Sequence, residues 1–213
     1  MIGFHRLDDP LPLPGLLALE YDGLLQRMTD EVWVEQGTIP DPALRSRALG
    51  SPPRPRVALS HRSAHWVWWG SATGRAPALV EYTTLSRRRM RASTCGWTVY
   101  ERDVPPPERL DVAGTWVTSP ERTLFDLFRD AVVAPDPESA ARHTLARVPA
   151  GDRSAFLVWL DRIERRPFIA RIRALSRSTV HGTAPSQDRT LEDPPREGDP
   201  REGGSLGGQT LTR

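Results

Sequence analysis

Two short passages of this chain each read as an apolar strand end that turns directly into a helix, and that repetition constrains the fold more than any other feature. In the first, Val57, Ala58 and Leu59 form an apolar run and Ser60 follows as a helix N-cap, its hydroxyl placed to accept a free backbone N–H one turn on. The helix then continues through His61-Arg62-Ser63-Ala64 to Trp69 and stops at Gly70. In the second, Trp116, Val117 and Thr118 lead to Ser119 as the cap, with Pro120 at the first helical position and Glu121 at the positive end of the helix dipole. The run continues Arg122-Thr123-Leu124-Phe125-Asp126-Leu127. Two turns of this kind call for a sheet with helices packed on it, so the expected class is α/β (α+β).

The segments around them agree. Residues 78–82 and 97–100 are short runs rich in valine, tyrosine and tryptophan bounded by Gly, Pro and Ser, as strands are, and residues 109–112 and 115–117 pair through an Ala113-Gly114 turn. Four helices follow: one from Ser119 to near Val133, one from Pro137 to about Val148, one capped by Asp152 through Ile163, and one restarted by Arg166-Pro167 with Ile169, Ile172 and Leu175 at helical spacing. Upstream, residues 14–21 suit one short helix, residues 23–35 a hairpin around Thr29-Asp30, and Asp41-Pro42 opens another helix through Leu49. A proline-rich link covers residues 51–56. The composition of residues 177–213, Gly, Pro, Ser, Thr and charge with almost no large apolar side chain, predicts a disordered tail. Three parts result: a small segment 1–50, an α/β domain 51–176 ending in helices, and the tail.

Charge is distributed unevenly. All 29 basic residues are arginine, a coding bias that makes arginine abundance weak evidence for a nucleic-acid ligand. Residues 1–44 hold eight acids against Arg6 and Arg27, a net charge of −6, and should repel phosphate. Residues 45–91 hold ten arginines against Glu81 alone, a net of +9, and would draw a polyanion first. Within them Arg87, Arg88, Arg89 and Arg91 form the best phosphate-contacting cluster, although a charge run is more often a solvated surface. The single Cys95 excludes an intramolecular disulfide and a multi-cysteine zinc site. With no bilayer-length apolar run and no basic-then-apolar start, a cytoplasmic protein without membrane contact is expected.

The two passages, together with Tyr21-Asp22-Gly23-Leu24-Leu25-Gln26-Arg27-Met28-Thr29-Asp30-Glu31-Val32-Trp33-Val34, resemble the AbiEi family of type IV antitoxins and related transcriptional regulators common in actinobacteria. In that family the second passage is some form of Ser-Pro, an acidic or small residue, Arg-Thr-Leu, a variable position and Asp-Leu, which maps onto residues 119–127; its Ser-His helix maps onto Ser60 and His61, and its wing hairpin onto residues 25–34. The resemblance implies an N-terminal winged helix on promoter DNA and a C-terminal α/β domain opposing a nucleotidyltransferase toxin. Only one short helix precedes the hairpin here, so the winged helix is shortened at the element that reads the major groove. The same resemblance makes Arg122, Asp126 and His61 candidates for partner contact.

Each of those residues also has a plainer reading. Arg122 and Asp126 stand four apart on the face opposite Leu124, Leu127 and Phe128, the spacing of a solvated helix pair. His61 and His65 have the spacing for two zinc ligands, yet no acid lies between them and no third ligand is evident, so a structural role at the rim of the sheet is preferred and no metal is assigned. Trp66, Trp68 and Trp69 point in successive directions around one helix, so at least two should be buried in a core rather than stacking bases. Catalytic patterns are missing locally. There is no lysine for an Asp…Glu-x-Lys nuclease core, Gly70-Ser71 is followed by no aspartate before Asp103, and Gly-x-Ser-x-Gly is absent. The expectation is therefore a non-enzymatic regulator or antitoxin without a cofactor, with a DNA-independent protein-interaction module as the alternative and a nuclease-like enzyme as the remote one.

Overall fold

The two strand-to-helix passages lie side by side at the centre of the protein. In the computed structural model, which describes residues 4–7, 11–86 and 96–182, the strand β4 (Val57–Leu59) of the first passage pairs in parallel with the last strand, β8 (Thr115–Thr118), of the second through Leu59 and Val117. They belong to a five-stranded mixed sheet in the order β6-β5-β4-β8-β7, completed by β5 (Val80–Thr84), β6 (Trp97–Tyr100) and β7 (Arg109–Val112). β5 is antiparallel to β4, and β6 runs parallel to β5. The chain is thus an α/β mixed fold. Its described residues fall within one compact unit, Met1–Thr183; the other, Ala184–Arg213, lies outside them, as do most of the expected tail and all of Arg87, Arg88, Arg89, Arg91 and Cys95.

Helix α3 (His61–Trp69) leaves β4, and α4 (Pro120–Val132) leaves β8. Ser119 caps α4 as expected, its Oγ accepting the Arg122 N–H at 3.2 Å. Ser60 does not cap α3. Its hydroxyl is taken by His61, and the Arg62 N–H is accepted instead by the carboxylate of Glu81 at 2.7 Å, from the neighbouring strand β5. A carboxylate at that end also complements the helix dipole. At the other end Arg45 donates to the carbonyls of Val67 and Trp68 at 2.7 and 3.1 Å, where Gly70 turns the chain away with a φ of +72°.

The N-terminal segment forms a second, three-stranded antiparallel sheet, β1-β3-β2. The expected hairpin is β2 (Leu25–Arg27) with β3 (Val32–Glu35); β1 (Phe4–Arg6), which has no strand pattern of its own, pairs on the free side of β3. Helix α1 (Leu13–Tyr21) packs Leu16 against Leu25 and Trp33, and α2 (Pro42–Ala48) is capped by Asp41 at 2.6 Å. This segment shares its core with the large sheet: Met28, Val32, Val34, Leu44 and Ala48 belong to one cluster with Val57, Leu59, Tyr82 and Val117. No core boundary therefore falls at residue 50.

The C-terminal third is helical, as predicted. α5 (Pro137–Leu145), α6 (Ala150–Asp161) and α7 (Ile169–Gly182) surround α4, and their core joins Leu124, Phe125 and Phe128 to Leu145, Phe156, Leu160 and Ile172. α6 begins after Pro149, so Asp152 lies inside its first turn and receives the Trp69 indole N–H at 2.7 Å. α7 continues past residue 177, where the tail was expected to begin. That stretch has few apolar side chains, but Ser176 and Thr179 are buried and Val180 packs on the helical core. No helix among the described residues is long and apolar enough to cross a membrane.

The β7–β8 hairpin turns through Ala113 and Gly114, both with positive φ (+55° and +84°), and Asp111 accepts the Gly114 N–H at 2.7 Å. Alanine is strained there, because its Cβ crowds the following carbonyl. Ala113→Gly should raise unfolding stability by about 1 kcal/mol, read as a higher urea midpoint with an unchanged slope.

Candidate functional site

The strongest concentration of titratable groups lies where α3 and α4 begin. His61, the first residue of α3, adopts a φ of +47°, a left-handed conformation uncommon for any residue that carries a side chain. That turn places the imidazole inside the protein, stacked on the Tyr100 ring with centroids 3.8 Å apart. Its Nε2 lies 3.0 Å from Nη1 of Arg102. A guanidinium can only donate, so Nε2 accepts; Nδ1 then carries the proton and donates to Ser60 Oγ at 2.9 Å. Both ring nitrogens are committed.

From Arg102 the network runs into α4. Its Nη1 donates to Asp126 Oδ1 at 3.1 Å, and Nη2 stands 3.7 Å from Asp130 Oδ1. The other oxygen of Asp126 accepts Nε of Arg122 at 2.8 Å, and Arg122 Nη1 donates to Glu108 Oε2 at 2.5 Å. Glu108, at the end of a short 3-10 turn (Pro106–Glu108), pairs through its second oxygen with Arg166, whose guanidinium also lies over the Phe125 and Trp159 rings. On the opposite flank Glu81 pairs with Arg62 and accepts the Tyr100 hydroxyl at 3.0 Å. Four guanidiniums thus meet four carboxylates. Buried ions persist only when matched in this way, since each unpaired one would cost several kcal/mol.

Arg122 and Asp126 therefore do not form the solvated pair that their spacing suggested. The Asp126 side chain is fully enclosed (0% exposed), Arg122 nearly so, and His61 is also buried, so none of these three candidates for partner contact presents its side chain at the surface. What the cluster does show to solvent is its fringe: Asp130 (46% exposed), Arg102 (20%), Arg166 (24%) and Arg62 (68%). Arg102, Glu108, Tyr100 and Arg166 were missed in the sequence. Arg102 stands in Glu101-Arg102-Asp103 and looks like surface; Glu81 alone left a signal, as the one acid among ten arginines, set between Val80 and Tyr82 on a strand.

The remaining candidates separate. His65 Nε2 lies 2.9 Å from the Thr144 carbonyl and its ring meets Trp69 edge-on, so His61 and His65 have different surroundings and do not converge on one ion. Among the described residues no group of three His, Cys, Asp or Glu side chains is placed to hold a metal. All three indoles point inward: Trp66 donates to Gly74 O, Trp68 to Thr118 O and Trp69 to Asp152. Burial holds both histidines below their ordinary value of 6.5; for His61 the carboxylates of Asp126 and Asp130 pull the other way without overcoming it. Burial, then the Glu81 carboxylate, pushes the Tyr100 hydroxyl up to about 12, so it remains a donor at neutral pH.

Two outcomes follow from this geometry. Asp126→Ala leaves two guanidiniums facing an empty site and should cost about 3–5 kcal/mol in urea unfolding, whereas Glu138→Ala, which breaks the exposed pair with Arg142, should cost under about 0.5 kcal/mol. Histidines that stay neutral when folded make the unfolded chain the better proton binder below pH 6.5. Stability should hold above pH 6.5 and fall as the pH drops below it, and the double variant His61→Asn, His65→Gln should flatten that slope in denaturation series from pH 7.5 to 5.5; Asn tolerates the left-handed backbone at position 61.

No family model matches this chain, and no curated protein matches it.

Proposed function

We propose that this chain is a non-enzymatic, AbiEi-like antitoxin or transcriptional regulator of the cytoplasm, acting by recognition of DNA, of a nucleotidyltransferase toxin, or of both. The observation that carries this reading is the placement of the two resembling passages. They are adjacent parallel strands, each delivering a helix, and their polar motif residues Ser119, Arg122, Thr123 and Asp126 are all consumed inside the fold. A motif used in this way specifies a scaffold, and the scaffold leaves recognition to its surface. The committed state of His61, with Arg102 on one nitrogen and Ser60 on the other, favours a structural over a catalytic role for that ring.

Of the two contacts, protein recognition draws more support from the described residues. Three of the six arginines between residues 45 and 75 are engaged within the protein, Arg45 on the end of α3, Arg62 on Glu81 and Arg75 on Glu20 at 3.0 Å, although Arg62 and Arg75 keep more than half of their side chains exposed. Arg47, Arg54 and Arg56 are exposed, and the sequence adds a run of four arginines at residues 87–91, outside the described residues. A gel-shift titration with a 40-base-pair duplex tests the DNA contact. Binding should weaken steeply between about 50 and 200 mM salt, and Arg87→Glu, Arg88→Glu, Arg89→Glu should weaken it on every sequence alike. Absence of any shift at low salt removes DNA from the proposal and leaves protein recognition, for which the readout is relief of growth arrest when the chain is co-expressed with a nucleotidyltransferase encoded beside it.

A further inference from the structure

A cleft of about 500 Å³ separates the β2–β3 turn from the segment leading into β5, and none of the residues singled out above explains it. Its floor is apolar: Met28 and Ala48 are buried there, with Leu49, Ala76, Pro77 and Val80 beside them. Its rim is acidic, because Asp30 and Glu31 stand exposed on the turn and enter no ion pair among the described residues. The walls are joined rather than merely adjacent. The Ala76 N–H donates to Met28 O at 2.7 Å, and Arg75 reaches across to Glu20. The turn is held as well, with Leu7 N–H on Glu31 O and Glu31 N–H on the Thr29 hydroxyl. The cleft is therefore preformed, and its volume lies in the usual range for small-ligand sites.

The electrostatics select the ligand. Among the described residues Arg75 is the one cation in the lining and its guanidinium is engaged by Glu20; Arg27, the one cation in residues 11–44, is paired with the same carboxylate at 3.2 Å. Glu20 is shared by both guanidiniums, so among these described residues two cations stand against the three carboxylates of Glu20, Asp30 and Glu31, a net of −1, and the two unpaired carboxylates at the rim draw a cation in preference to an anion. The apolar floor in turn rewards a hydrocarbon body that leaves water on entry. We propose that this cleft is a binding site for a small organic cation, with a guanidinium or ammonium head at Asp30 and Glu31 and a short apolar body over Met28, Ala48 and Val80. The inference does not depend on the antitoxin reading.

Hexylguanidinium titrated into the full chain, followed by amide NMR shifts and calorimetry, tests it. Saturable one-to-one binding is expected, with shifts confined to residues 28–31, 48–49 and 75–80, and with hexanoate, which has a similar tail and the opposite charge, failing to bind. Asp30→Asn with Glu31→Gln should weaken binding roughly tenfold. Ala78→Trp, an exposed lining position, should abolish it by filling the space while leaving both carboxylates. These substitutions are at exposed positions, and an unchanged amide spectrum elsewhere verifies the fold. Equal binding of plain guanidinium, binding of hexanoate, or retained affinity in either variant overturns the proposal.

Discussion

The Asp126 carboxylate, shared between Arg102 and Arg122, is the contact on which the arrangement of this protein depends. Through it the loop after β6 is fixed to α4; through Arg122 and Glu108 the approach to β7 is fixed to the same helix, and through Arg166 so is the approach to α7. The hydrophobic clusters beneath supply most of the driving force but little direction, because apolar contacts tolerate small slides. Enclosed ion pairs do not tolerate them. A displaced guanidinium there would lose its partner without gaining water, so the polar network sets which of several compact packings is the native one.

A similar economy governs α3. Its ends are satisfied from outside the helix, by Glu81 at the start and Arg45 at the finish. The helix is only nine residues long and would be marginal alone. Charges of the right sign at both ends, drawn from β5 and α2, make its formation conditional on tertiary structure. The same arrangement engages Arg45, and Arg62 and Arg75 are each paired with a carboxylate while still exposed, so the charge count of the middle of the chain overstates the unpaired charge that a polyanion would meet.

What could be read from the sequence was whatever is decided locally. The Ala113-Gly114 hairpin, the Ser119 cap, the helix opened by Asp41-Pro42, the order of most strands and helices, and the burial of at least two of the three tryptophans of α3 all follow from neighbours a few residues away. What could not be read depends on distant partners. β1 is three residues of mixed polarity that become a strand only because β3 has a free edge. The spacing of Arg122 and Asp126 says that they meet, but their burial follows from Arg102 and Glu108, each some 14 to 24 positions away. Ser60 loses its capping role because His61 competes for the hydroxyl, and α7 outruns its compositional limit because small polar residues can be buried.

The core shared by the N-terminal segment and the large sheet bears on how such a chain can be inherited. A recombination near residue 50 would part Met28, Val32, Val34, Leu44 and Ala48 from Val57, Leu59, Tyr82 and Val117, leaving two wet apolar faces in place of one dry one. A replacement front end would have to bring a matching surface for β4, β5 and β8 before it could bring any new specificity. The segment and its sheet therefore form a single unit of exchange, in which exposed positions can change singly and the shared face only in concert.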